Sequence, residues 1–162
     1  TRLFGKFVLK ATTDFGFLGT YNNNKGNIPF ERFFLGGDGM MQYALDGRET
    51  IALRGYDNQS LSSRDGSVIY NKYSLELRYP ISLKPTASVF ALSFLEAGNG
   101  FDDFKDYSPF DVKRSAGIGV RVFMPAFGLL GIDFGYGFDT SNISNTGQRS
   151  GWQTHFVIGQ QF

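Results

Sequence analysis

Six stretches of the chain alternate apolar and polar residues for about ten residues each, a period of two that predicts strands rather than helices. The clearest runs from Leu130 to Asp139. It sets Leu130, Ile132, Phe134, Tyr136 and Phe138 on one face and Gly131, Asp133, Gly135, Gly137 and Asp139 on the other. A water-soluble sheet buries the apolar face against a core; a barrel in a bilayer turns it to lipid and keeps the polar set in a wet lumen. The first strand, Leu3 to Leu18, favours the bilayer: Phe7, Leu9, Ala11, Thr13, Phe15 and Phe17 oppose a face carrying Lys6, Lys10 and Asp14.

The second strand is predicted near Val68 to Tyr79 and is expected to stop at Pro80, which lacks a ladder N–H. Glu76 and Arg78 share one of its faces, and both could not meet hydrocarbon cheaply. The third, Ala87 to Glu96, places Phe90, Leu92 and Phe94 on the parity of Glu96, so these apolar side chains are expected to pack inside against loop residues. The fourth, Ser115 to Met124, turns Ile118, Val120 and Val122 out and Gly117, Gly119 and Arg121 in, and the sixth runs from Trp152 to Phe162. Short links at 80–86 and 125–128 alternate with long ones at 19–67, 97–114 and 140–151. Barrels of this class have short periplasmic turns and long outer loops, so both chain ends are expected on the periplasmic side.

Composition narrows the function classes. A formal charge of +1 with scattered basic residues offers no field for nucleic acid. Cysteine is absent, which removes disulfides, thiolate metal sites and thiol nucleophiles. No run of about 18 apolar residues predicts a spanning helix. The first residues lack the plan of a signal peptide, so the expectation is a removed signal or a chain that begins inside a larger protein. Eighteen phenylalanines and 21 glycines suit lipid-facing strands and a crowded barrel interior.

Six strands are fewer than the eight that close the smallest bacterial barrels, and an unpaired edge in lipid costs several kcal/mol per backbone group. The chain is therefore expected to be part of a larger barrel. The alternative is an extra hairpin, Met40 to Leu45 with Glu49 to Arg54, that would make a small self-contained barrel acting as anchor, adhesin or pore.

Within the first long loop lies Leu53-Arg-Gly-Tyr56, which resembles the Val-Arg-Gly-Phe signature of the sixth extracellular loop in the BamA family of outer-membrane assembly and secretion proteins. Four further segments match in order and spacing: Pro29-Phe-Glu-Arg-Phe-Phe-Leu-Gly-Gly37, Phe94-Leu-Glu-Ala-Gly98, Arg114-Ser-Ala-Gly117 and Gly128-Leu-Leu-Gly-Ile-Asp-Phe-Gly-Tyr-Gly137. The resemblance covers nearly the whole chain and implies an all-β, antiparallel transmembrane β-barrel, of which these are the last six strands of sixteen. It supplies the missing strands.

By that resemblance the protein is an outer-membrane insertase whose first and last strands pair poorly, so that client strands are templated at a lateral seam. Gly159 is expected to let the last strand kink, with Phe156, Ile158 and Phe162 forming the lipid-facing terminal signal and Gln160 interrupting it. Arg54 is expected to fold back into the lumen onto Glu96. Such a pair at about 4 Å attracts by roughly 4 kcal/mol at an effective dielectric near 20, before desolvation. Gly55 would permit the tight path behind it and Tyr56 would stack on the lumen wall. The stretch Asp38 to Ile51 is longer than the resemblance predicts, so an additional outward element is expected there. The implied partners are unfolded outer-membrane clients, accessory assembly lipoproteins, the bilayer, the rest of the barrel and periplasmic modules, with no cofactor or metal. A polypeptide transporter or secretion pore of the same superfamily is the other reading, and fewer periplasmic modules would favour it.

Other chemistry is weak. His155, the only histidine, falls on the inward parity of the last strand and is expected to be a lumen-solvated side chain. Asp102, Asp103, Asp106 and Asp111 fit no calcium-loop spacing and are expected to form a solvated outer loop. No nucleophile elbow is present, so side-chain catalysis is not expected.

Overall fold

The computed structural model describes residues 6–19, 31–40, 49–84, 86–125, 127–143 and 147–159. Eight strands occur among them: β1 (Val8–Phe17), β2 (Phe33–Leu35), β3 (Glu49–Ile51), β4 (Ile69–Lys84), β5 (Ala87–Phe101), β6 (Lys113–Met124), β7 (Gly128–Thr140) and β8 (Arg149–Gly159). Six of them form one antiparallel sheet in the order β1-β4-β5-β6-β7-β8. Each neighbour follows the last along the chain except for the loop between β1 and β4. β1 and β8 stand at the two ends of that order, so among the described residues the sheet is an open segment of barrel wall.

The two faces differ as the alternation predicts. Phe15, Phe17, Leu75, Leu77, Leu95, Ile118, Val120, Phe134, Phe138, Trp152, Phe156 and Ile158 are exposed on one face. On the other, Glu76, Leu92, Phe94, Glu96, Arg121, Asp133 and His155 are buried. The outward aromatics pair across strands: Phe7 with Tyr79 at 5.0 Å, Phe15 with Tyr73 at 5.8 Å and Tyr136 with Trp152 at 5.4 Å between ring centroids.

Two strands run well past their predicted ends. β4 continues through Pro80 to Lys84, because a register shift between Pro80 and Ser82 absorbs the missing N–H as an irregularity in the ladder. β5 runs on to Phe101 through Gly98 and Gly100, which read as loop. The strand needs glycine there because the loop presses on it: a Cβ on Gly98 would lie 2.6 Å from Leu53 Cδ1, and one on Gly100 2.4 Å from Ser67 Oγ.

The β1–β4 loop crosses the inward face and supplies its own core, in which Phe33, Leu35, Leu53, Tyr56 and Leu61 pack with Tyr70 of β4. β2 and β3 pair in parallel, Phe33 with Glu49 and Leu35 with Ile51, and Gly37 and Leu53 exchange backbone hydrogen bonds at 3.2 and 3.1 Å. This pairing bears on the alternative of an extra hairpin: β3 belongs to a separate two-stranded sheet and does not extend the wall. Residues 41–48, where the rest of that hairpin and the additional loop element were expected, lie outside the described residues.

Candidate functional site: the arginine clamp

Arg54 points from the loop into the wall and meets three strands. Its Nη2 donates to Glu96 Oε1 of β5 at 2.6 Å and to Glu76 Oε1 of β4 at 2.7 Å, and its Nη1 donates to Asp133 Oδ2 of β7 at 3.2 Å. The backbone N–H of Arg54 donates to the second oxygen of Glu96 at 2.9 Å. Beneath the guanidinium lies the Phe94 ring, 3.7 Å from Cζ to centroid, a cation–π contact. Burial alone would lower the proton affinity of Arg54, but Glu96, Glu76 and Asp133 raise it above its ordinary value, so the side chain stays charged.

Further charges hold the carboxylates in place. Arg121 grips Asp133 with two hydrogen bonds, at 2.6 and 2.5 Å. Arg78 Nη2 lies 2.5 Å from Glu76 Oε2, and Lys72 Nζ lies 3.8 Å from Glu96 Oε1. Four cations (Arg54, Lys72, Arg78, Arg121) thus surround three carboxylates (Glu76, Glu96, Asp133). Each buried carboxylate has partners for both oxygens or shares one between two donors, the condition under which burying charge is tolerable.

The rest of the motif depends on space. Gly55 sits at φ +91°, and a Cβ there would lie 2.9 Å from Ser115 Cβ and 3.0 Å from backbone atoms of Tyr136 and Gly137. The wall is glycine where the loop lands: a Cβ on Gly135 would lie 2.7 Å from Gly55 N, and one on Gly137 2.3 Å from Gly55 O. Gly119 makes room for Asp133 in the same way, and Gly117 for Phe94. Tyr56 is fully buried, and its hydroxyl donates to the Arg114 carbonyl at 2.7 Å. Burial, chiefly, pushes its phenol up to about 12.

The Omp85 superfamily domain matches residues 2–162. The chain belongs to the Omp85 superfamily. No curated protein sequence matches it. Members of this superfamily are outer-membrane proteins engaged in insertion or transport of polypeptides.

In this Omp85 domain the structure brings Leu53, Arg54, Gly55, Tyr56 and Glu96 together in one docked unit, with Leu53 buried in the loop core and Glu96 at the clamp. Tyr56 anchors by a hydrogen bond to backbone as well as by packing. Glu76, Asp133 and Arg121 complete the clamp and were not singled out as Arg54 partners from the sequence. Their signal was present as charged residues on inward parities in three different strands. The expectation of a solvated His155 is corrected: it is 5% exposed, and its Nε2 accepts the Gly55 N–H at 2.8 Å. The loop that lands on the glycine wall covers the ring and supplies the partner that the alternation alone does not reveal.

The residues of the expected seam lie apart from the clamp. Phe156 and Ile158 are exposed on the outward face of β8, opposite Ile132 and Leu130 of β7. Gly159, at φ +133°, pairs with Leu129 at the end of the described strand. Gln160 and Phe162 lie outside the described residues. Asp102, Asp103, Asp106 and Asp111 are exposed in the loop between β5 and β6.

Proposed function

We propose that the chain is the carboxy-terminal part of a BamA-like barrel of sixteen strands in the bacterial outer membrane. It folds and inserts other β-barrel proteins without cofactor, metal or side-chain catalysis. The observation that carries this reading is the Arg54-clamped loop, laid across the inward face from β4 to β8. It ties the motif that resembles the family signature to the strand at one edge of the open sheet. Further support comes from that edge. In lipid, unpaired N–H and C=O groups demand strands to pair with, and a weak pairing there can be exchanged for a client strand by β-augmentation.

In this mechanism the clamp keeps the inner wall rigid while the seam at β8 opens. The exposed Phe156 and Ile158 keep the strand in the bilayer as its edge pairs with the incoming segment. The remaining strands, the periplasmic modules and accessory lipoproteins supply the other side of the seam and deliver unfolded clients. A photoreactive residue at Val157, on the lumen parity of β8, tests the reading during assembly of an unfolded outer-membrane client in cells. Cross-links to the client's terminal strand support insertion. Cross-links only to a soluble secreted polypeptide would replace it with the transport reading.

A further inference from the structure

The loop motif meets β8 through the hydrogen bond from Gly55 N–H to His155 Nε2, 2.8 Å long. An imidazole nitrogen accepts only when it carries no proton, so the bond fixes a neutral ring with its hydrogen on Nδ1. Protonation at Nε2 would set one N–H against another. Gly55 has no freedom to turn its N–H aside, because its φ of +91° and the close backbone of Tyr136 and Gly137 hold the peptide where it is. Relief requires Gly55 and the ring to part.

Charged groups surround the ring or line the cavity beside it on every neighbouring element: Asp133 on β7, its register partner; Arg121 on β6; Glu96 on β5; Lys72 and Glu76 on β4; Lys10 and Asp14 on β1; and Asp38 and Arg54 on the loop. The carboxylates are occupied where the structure describes their bonds. Asp133 is held by Arg121 and Arg54, Glu96 by Arg54, Glu76 by Arg54 and Arg78, and Asp38 Oδ1 accepts the Met40 N–H at 2.9 Å.

We propose that His155 is a proton-operated latch, a positioning residue that holds the long loop on the last strand while neutral and releases it when protonated. Ordinary imidazole titrates near pH 6.5, so release belongs to mildly acidic surroundings. If docking requires the neutral ring, the ratio of released to docked loop grows about tenfold for each pH unit below that value, until the docked form itself is protonated. The latch goes beyond the insertase reading and does not depend on it.

This chain contains no cysteine, so in the full protein, with any cysteine elsewhere replaced by serine, labels can be placed on the exposed positions Asp57 and Arg149. The full protein with Asp57→Cys and Arg149→Cys, spin-labelled in lipid vesicles, reports the separation of loop and β8. At about pH 7.5 a single short distance is expected, and at about pH 5 a second, longer one. His155→Gln, whose amide oxygen accepts the Gly55 N–H at any pH, is expected to keep the short distance throughout, and His155→Ala, which has no group to titrate, to give the same distances at both pH values. A distance that does not change with pH when His155 is present, or a His155→Gln protein that shifts equally, would overturn the proposal.

Discussion

One carboxylate, Glu96, holds both the main chain and the side chain of Arg54, accepting the backbone N–H at 2.9 Å on one oxygen and guanidinium N–H groups at 2.6 and 3.1 Å on the other. A loop docked this way cannot slide along the wall. Shifting the backbone by one residue would break the main-chain bond and pull the guanidinium off Glu76 and Asp133 together.

Replacing the cation leaves three buried carboxylates short of a partner. Arg54→Ala is expected to destabilise the barrel by about 3–5 kcal/mol, the usual effect of breaking a buried pair by removing one side. Resistance of the folded form to heat in detergent, read as gel mobility, checks this. Unchanged resistance would contradict the clamp.

Removing space rather than charge is expected to give a related result. Gly137→Ala places a methyl against Gly55 O, and overpacking of this kind costs about 1–3 kcal/mol. The wall should still form, since alanine is tolerated in a strand, while the loop lifts. Faster tryptic cleavage after the exposed Arg64, with strand content unchanged by circular dichroism, is the expected outcome.

Those glycines show where the chain was legible and where it was not. The two-residue alternation located all six wall strands and the correct outward faces, because lipid and lumen impose opposite chemistry on successive side chains. Strand ends were lost where a second layer intruded. Gly98 and Gly100 look like loop residues until Leu53 and Ser67 are seen against them. Pro80 looks like a stop until the register shift beside it is seen. Arg54 and Glu96 were reachable from the family resemblance. Asp133, Glu76 and Arg121 required knowing which inward charges lie level across neighbouring strands, which register sets and periodicity leaves open. Nothing local in the sequence announces that a backbone N–H is the partner of His155, so the alternation alone leaves that ring solvated.

The Arg54–Glu96 contact is also expected to be coupled in energy. In a double-mutant cycle with Arg54→Ala and Glu96→Ala, the interaction term should fall within about 0.5–3 kcal/mol. Additive effects of the two substitutions would show that the pair acts as two separate struts.

Alkali should loosen the loop. Burial pushes Tyr56 up to about 12, above its ordinary value near 10. The docked form therefore holds its proton more tightly than the released form. The stabilisation is complete below about pH 10 and is lost as pH rises through about 12. Tyr56→Phe removes this alkaline step and lowers neutral-pH stability by about 1 kcal/mol through the lost bond to the Arg114 carbonyl. Heat-resistance profiles of both proteins from about pH 8 to about pH 12 separate the two effects.

The most direct test of the central claim, that an Arg54-clamped wall with a labile last strand inserts other barrels, is the folding rate of an unfolded outer-membrane client in vesicles containing the full protein. Client folding faster than in empty vesicles is expected, with loss of most of that acceleration in Arg54→Ala. Client folding no faster than in empty vesicles, with the protein itself correctly folded, would contradict it.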